Sequence, residues 1–188
     1  MMRLLLITAA ALALPGLALA QTTNTGHGRL DLTGTAPSAC LISTPTAAAG
    51  ANTTFQSTGA QQGQVTITQL ADPTTAQPVA ATINLALPII CNAAHRVTIS
   101  TTNGGLARVG GSGQTTGGFR EFLPYSVSAS WAGQTATATS TAGATVTINA
   151  NDGAAGQLSL VIQVPGGGTP LIAGTYDDQV VIQLQVAS

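Results

Sequence analysis

Ala173-Gly-Thr-Tyr-Asp-Asp-Gln-Val-Val-Ile-Gln-Leu-Gln-Val-Ala-Ser188 closes the sequence, and its reading decides the fold. Val180, Ile182, Leu184 and Val186 alternate with residues that include Gln183 and Gln185. Period-two alternation places those four side chains on one face of a β-strand. Gly174-Thr175 ahead of it reads as a turn. A strand with a buried face needs neighbours, and the sequence offers no later segment to pair with this one. In a two-sheet sandwich one apolar edge is then expected to stand open, and such an edge must be filled or it aggregates.

The same pattern recurs upstream. Ile83, Leu85, Leu87 and Ile89 alternate through residues 81–91. Pro88 lacks an N–H, which predicts an edge, a bulge or a strand terminus at that point. A turn at 92–94 leads into a strand at 96–100, so a hairpin is expected beside the second cysteine. Leu123, Tyr125, Val127, Ala129 and Trp131 share one parity, as do Val146 with Ile148 and Leu158 with Leu160 and Ile162. Residues 135–139 and the pair Val65 and Ile67 mark two more strands. Residues 44–63 hold few bulky side chains apart from Phe55 and read as a loop, and 103–118 reads as a mobile glycine-rich loop. No segment after residue 20 has a helical period. The reading is an all-β chain with turn signals spaced as in a sandwich.

Met1-Met-Arg3 is a short basic start, residues 4–14 are apolar, Pro15-Gly16 breaks the run, and Ala18-Leu-Ala20 is a small-x-small site. That is the pattern of a secretory signal peptide, with an apolar run too short for a membrane span. It predicts export through the inner membrane and cleavage after Ala20. The remaining chain has no lysine, and without Arg3 four arginines face six acids, a formal net charge of −2. So few charges argue against nucleic-acid binding and against electrostatic capture of anionic membranes. Low charge also promotes association, which a polymerising protein exploits.

Cys40 and Cys91 are the only cysteines. An even count in an oxidising compartment reads as one disulfide, with two free thiols as the alternative. Closing a loop of that length is worth about 4 kcal/mol in the chain-entropy model. A metal site fits less well, because only His95 lies near either cysteine in sequence. Phosphate-binding, dinucleotide-binding and nucleophile-elbow motifs are absent, so no catalytic residue, metal or cofactor is expected. His27 and His95 are expected at the surface. Asp177-Asp178 offers paired carboxylates for acid–base work, against a plain reading as a solvated strand start. Trp131 offers a sugar-stacking platform, against a reading as a core or rim residue. Asn52-Thr-Thr54 matches the N-glycosylation pattern.

Four stretches, in order, carry a family resemblance. Leu30-x-Leu-x-Gly-x-Ala-x-x-x-Cys40 resembles a pilin N-terminal strand running into its first cysteine. Leu85-x-Leu-x-x-x-Cys91 with Val97-x-Ile99 resembles the segment around the second. Leu123-Pro-Tyr-Ser-Val127 resembles the family's Leu-x-Tyr strand, and Ala173-Gly-Thr-Tyr-Asp-Asp178 with its alternating tail resembles the Gly-x-Tyr-x-Asp ending. The chain is thus similar to secreted pilus subunits of the chaperone–usher kind, most closely the spore coat protein U-like group with its archaic pilins.

The resemblance implies an immunoglobulin-like sandwich that lacks its final strand and is completed by a donated one. Residues 21–36 would be the donor extension and 37–188 the domain. Gly28, Leu30, Leu32, Gly34 and Ala36 would form the donor face. Val180, Ile182, Leu184 and Val186 would line the acceptor groove and meet a periplasmic chaperone before the next subunit replaces it. An outer-membrane usher and other pilus subunits would be the further partners, and the cell surface the destination, in a fibre or coat serving adhesion or biofilm. The alternative is a secreted carbohydrate- or surface-binding module.

Overall fold

The computed structural model describes residues 29–141 and 143–187. The expected leader, His27 and Gly28 lie outside these. The chain divides into residues up to Thr35 and residues from Ala36 onward. In the first unit, residues 29–35 join no ladder, and Leu30 and Leu32 are 82% and 86% exposed. The alternation read at 28–36 as a strand therefore has no pairing partner here, because a strand without a neighbour has no ladder to hold it.

The second unit is all-β. In chain order the strands are β1 (Cys40–Ile42), β2 (Thr46–Ala51), β3 (Thr53–Gly59), β4 (Gln62–Ile67), β5 (Ala81–Cys91), β6 (His95–Thr101), β7 (Leu106–Arg108) and β8 (Thr115–Thr116). They continue with β9 (Phe119–Arg120), β10 (Phe122–Leu123), β11 (Ser126–Trp131), β12 (Gln134–Thr139), β13 (Thr145–Ala150), β14 (Ala154–Val164), β15 (Tyr176–Asp177) and β16 (Val180–Val186). The larger sheet runs β1-β5-β14-β11-β12, with β2 also on the β1 side of β5, and a second sheet runs β13-β6-β16. Every ladder is antiparallel. Small pairs β3-β4 and β8-β9 and the trio β10-β7-β15 flank them.

Alternation explains the core. Ile83, Leu85, Leu87 and Ile89 of β5, Leu158 and Leu160 of β14, and Val127, Ala129 and Trp131 of β11 point from one sheet, and Val97, Ile99, Val146 and Ile148 point from the other. These side chains form one buried cluster, each large one contributing roughly 1.5–3 kcal/mol of transfer free energy. β12 lies beside β13 along one side of the packed sheets, and β1 beside β16 along the other.

Several expectations need correction. The loop read at 44–63 is β2, β3 and the start of β4. Its Ala, Gly, Thr and Ser side chains carry no hydrophobic signal, and pairing with β5 supplies the order instead. The hairpin expected beside Cys91 does not form, because β5 and β6 belong to different sheets. Pro88 sits inside a central strand. Its carbonyl accepts from Ser43 N at 2.8 Å, so its ring nitrogen faces the break between β1 and β2 and costs no bond to β14. The strand read at 123–131 is interrupted after Leu123 by Pro124, although its buried parity holds from Leu123 to Trp131.

The glycine-rich stretch is fastened rather than free. Glu121, nearly enclosed, accepts from Arg108 NH1 (2.9 Å), Ser112 N (2.6 Å) and Ser112 Oγ (2.9 Å). These bonds, the Ser112 hydroxyl first, hold the carboxyl below its ordinary range. Gly105 has φ +149°, and a Cβ there would lie 2.6 Å from the Phe122 ring, so the chain needs glycine at that approach.

Candidate functional site

The four residues singled out near the end of the sequence fall on the edge strand β16. Val180, Ile182, Leu184 and Val186 lie opposite Thr101, Ile99, Val97 and His95 of β6. Ile182, Leu184 and Val180 pack against the core, yet all four remain half-exposed, unlike the closed rows on β5 and β11. Main-chain bonds from Thr102 N to Gln179 O and from Ala187 N to Ala94 O frame the ladder at its two ends. Antiparallel pairs alternate between bonded and non-bonded, so Val180, Ile182, Leu184 and Val186 occupy the non-bonded positions. Their N–H and C=O groups therefore point away from β6 toward the free edge. The residues that turn apolar side chains inward are thus the ones that offer unpaired main-chain groups outward. No other described strand pairs on that edge.

β1 bounds the other side. Cys40 and Ile42 are half-buried against the core, and β1 runs near β16. The Cys40–Cys91 disulfide ties β1 to β5 across facing residues with Cα atoms 4.2 Å apart, the spacing of a non-bonded pair. Asn92 then holds the approach to β1: its side chain donates to Pro37 O (2.8 Å) and accepts from Ala39 N (2.7 Å). β1 and β16 are neighbours, and among the described strands β16 pairs only with β6.

The other candidates are occupied by structural bonds. Asp178 Oδ1 accepts from Asn103 N and Gln179 N, and its Oδ2 accepts from Gly105 N and the Tyr125 hydroxyl, all at 2.8–2.9 Å. The solvated strand start read for this residue is therefore wrong: it fastens the 103–105 turn to β11. Burial, and then that carboxylate, hold the Tyr125 phenol well above its ordinary pKa. Asp177 next to it is exposed, with its backbone paired to Ala107 of β7.

His95 is buried instead of lying at the surface as expected. Trp131 Nε1 donates to its Nε2 at 2.7 Å, and its Nδ1 lies 2.8 Å from Ala93 O. Accepting at Nε2 requires the neutral ring with its proton on Nδ1. Cys40, Cys91 and His95 place ligand-type atoms within 4.8 Å of one another, but both sulfurs are in the disulfide and both ring nitrogens are bonded. Trp131 and Tyr125 are each 4% exposed, so neither presents a ring face for stacking. The Asn52 carboxamide donates to Gln69 O (2.6 Å) and accepts from Gln69 N (2.9 Å), which commits the glycosylation-pattern asparagine to the fold. An open polar groove of about 330 Å³ lies between β12 and β13, lined by Gln134, Thr135, Thr147, Asn149 and Asn151.

Sequence parity placed the β16 row, and it missed the Asp178, Glu121 and Asn92 networks. Each of those joins residues far apart in the chain, which leaves no local signal. No protein-family model matches the chain, and neither does any curated protein or solved structure.

Proposed function

We propose that the protein is a non-enzymatic structural subunit of a cell-surface fibre or coat, and that subunits join when one chain's extension pairs with the free edge of β16 of the next. The observation that carries this reading is the β16 edge, where half-exposed core-facing side chains and unpaired main-chain groups coincide. β-strand addition uses both: main-chain bonds supply pairing, and alternate pockets read the side chains. The incomplete immunoglobulin-like sandwich belongs to this proposal, as do the periplasmic chaperone and outer-membrane usher that the family resemblance implies.

The donor is the segment bearing Gly28, Leu30, Leu32, Gly34 and Ala36. Leu30 and Leu32 are exposed in the described chain, and burying each against a neighbour's β16 row would yield roughly 1.5–3 kcal/mol. Seven residues of β16 provide an acceptor of matching length. The alternative, a glycan- or surface-binding module, loses its aromatic platform with Trp131 and Tyr125 buried, and would rest on the polar groove between β12 and β13.

The test is electrophoresis of the exported protein with and without boiling. Strand-exchanged polymer gives a ladder that survives detergent and collapses on heating. Leu32→Asp should leave the monomer folded and remove the ladder. A ladder unchanged in that variant would rule out Leu32 as a donor residue, and a lone soluble wild-type monomer would overturn the polymer reading.

A further inference from the structure

The Cys40–Cys91 disulfide lies beside a third group with a metal ligand's chemistry. β5 ends at Cys91 and β6 begins at His95, so the 92–94 turn brings an imidazole back to the sulfurs. Both sulfurs and one ring nitrogen of His95 lie within 4.8 Å of one another. Cys91 and His95 are buried and Cys40 is half-buried. Thiolate sulfur with neutral imidazole is a ligand set for Zn(II) and other thiophilic ions. In the disulfide the sulfurs hold each other, so the set is complete only in the dithiol chain.

Bonds that involve no sulfur keep the three groups together when the disulfide opens. All three residues of β1 pair with β5, and Cys40 faces Cys91. Asn92 grips the chain ahead of β1: its side chain donates to Pro37 O and accepts from Ala39 N, and its own N–H donates to Ala39 O at 3.1 Å. The imidazole is prepared as well. Accepting from Trp131 at Nε2 fixes it as the neutral ring, with its Nδ1 proton directed to Ala93 O, and the neutral ring is the form that binds a metal. Whichever nitrogen takes an ion, the other then carries the proton, so the Trp131 N–H loses its acceptor.

We infer that Cys40, Cys91 and His95 form a metal site in the dithiol chain, taking Zn(II) or a like thiophilic ion, so that ion and disulfide are alternative ties between β1 and β5. Exchange with a dithiol supplies the two electrons: the reductant leaves as its own disulfide, and two cysteine thiols form. The ion then displaces the two thiol protons, and water fills the fourth tetrahedral position. This site is independent of the proposed assembly.

The exported protein, reduced and then freed of reductant under nitrogen, is titrated with Co(II) as the probe. Expected is saturation at a single equivalent, with the visible absorption of tetrahedral thiolate-bound cobalt, bleached by Zn(II). Zn(II) alone should change the emission of Trp131, the single tryptophan. The oxidised protein should show neither signal. His95→Gln should bind Co(II) at least about 10-fold more weakly and with altered bands, since even partners outside the ligand set are worth that much. If the reduced chain is unfolded, Co(II) should restore its far-ultraviolet strand signal. Absence of either signal in the reduced wild type overturns the site, as does His95→Gln binding with unchanged affinity and bands. Uptake that leaves the chain unfolded, or that persists in concentrated urea, is binding by loose thiols and overturns it equally.

Discussion

Single polar side chains decide how the loops of this protein sit. Asp178 takes four donors, three of them main-chain N–H groups, so one carboxylate organises the turn at 103–105 and orients Tyr125. Hydrogen bonds to charged groups are worth about 1.5–3 kcal/mol each, so Tyr125→Phe is expected to lower unfolding stability by that amount in a urea titration. A change below about 0.5 kcal/mol would mean that the main-chain donors satisfy Asp178 alone. Trp131→Phe leaves the buried His95 Nε2 without its donor and is expected to cost about 1–3 kcal/mol by the same measurement. Glu121 makes the 108–121 stretch pH-dependent. Its pKa is lowered in the folded chain, so the stability it adds is fully present above the unfolded value of about 4.3 and is lost as pH falls through the folded one. Amide protection factors in this stretch, exchange corrected for the intrinsic rate at each pH, should therefore fall below about pH 4, and Glu121→Gln should show low protection already at neutral pH. High protection in that variant at neutral pH would show that the charge is dispensable.

At the scale of elements, the contrast between β5 and β2–β4 shows what a strand needs. β5 carries its own signal, six alternate buried positions from Ala81 to Cys91, and it pairs along its whole length with β14. β2, β3 and β4 carry almost none and are strands because β5 and each other give them partners. β1 is shorter still, three residues, all paired with β5 and tied to it by the disulfide. Replacing Cys40 and Cys91 together by alanine is expected to lower stability by about 4 kcal/mol, the loop-closure value for a 51-residue separation. A loss under about 1 kcal/mol in urea unfolding would show that β1-β5 pairing and the Asn92 clamp suffice.

For the whole molecule, the two packed sheets differ in how they end. Along one side β12 lies beside β13, and along the other β1 lies beside β16, whose outer main-chain edge pairs with no other described strand. Under the proposed assembly, a charge placed on the β16 row should act on association before it acts on folding, because that row is only half-buried. Leu184→Asp is expected to yield a folded monomer whose unfolding free energy in urea changes by no more than about 1 kcal/mol, and to abolish the heat-sensitive ladder of the proposed polymer. An unfolded Leu184→Asp chain would place Leu184 in the core proper, and a normal ladder would move the acceptor away from β16.

Read alone, the sequence determined the all-β class, the parity of the core rows on β5, β11, β13, β14 and β16, and the pairing of the only two cysteines. Those properties follow from the alternation of side chains about a strand and from a count, both local to the chain. Tertiary structure alone decided which strands pair, that β5 and β6 part into different sheets, that His95 is buried against Trp131, and that Asp178 and Glu121 each accept several hydrogen bonds. It also decided that β16 is an edge strand lying beside β1. Each of these joins groups tens of residues apart, and main-chain hydrogen bonding is blind to side-chain identity, so the partner of a strand is set by which apolar faces close over one another and not by the strand's own residues.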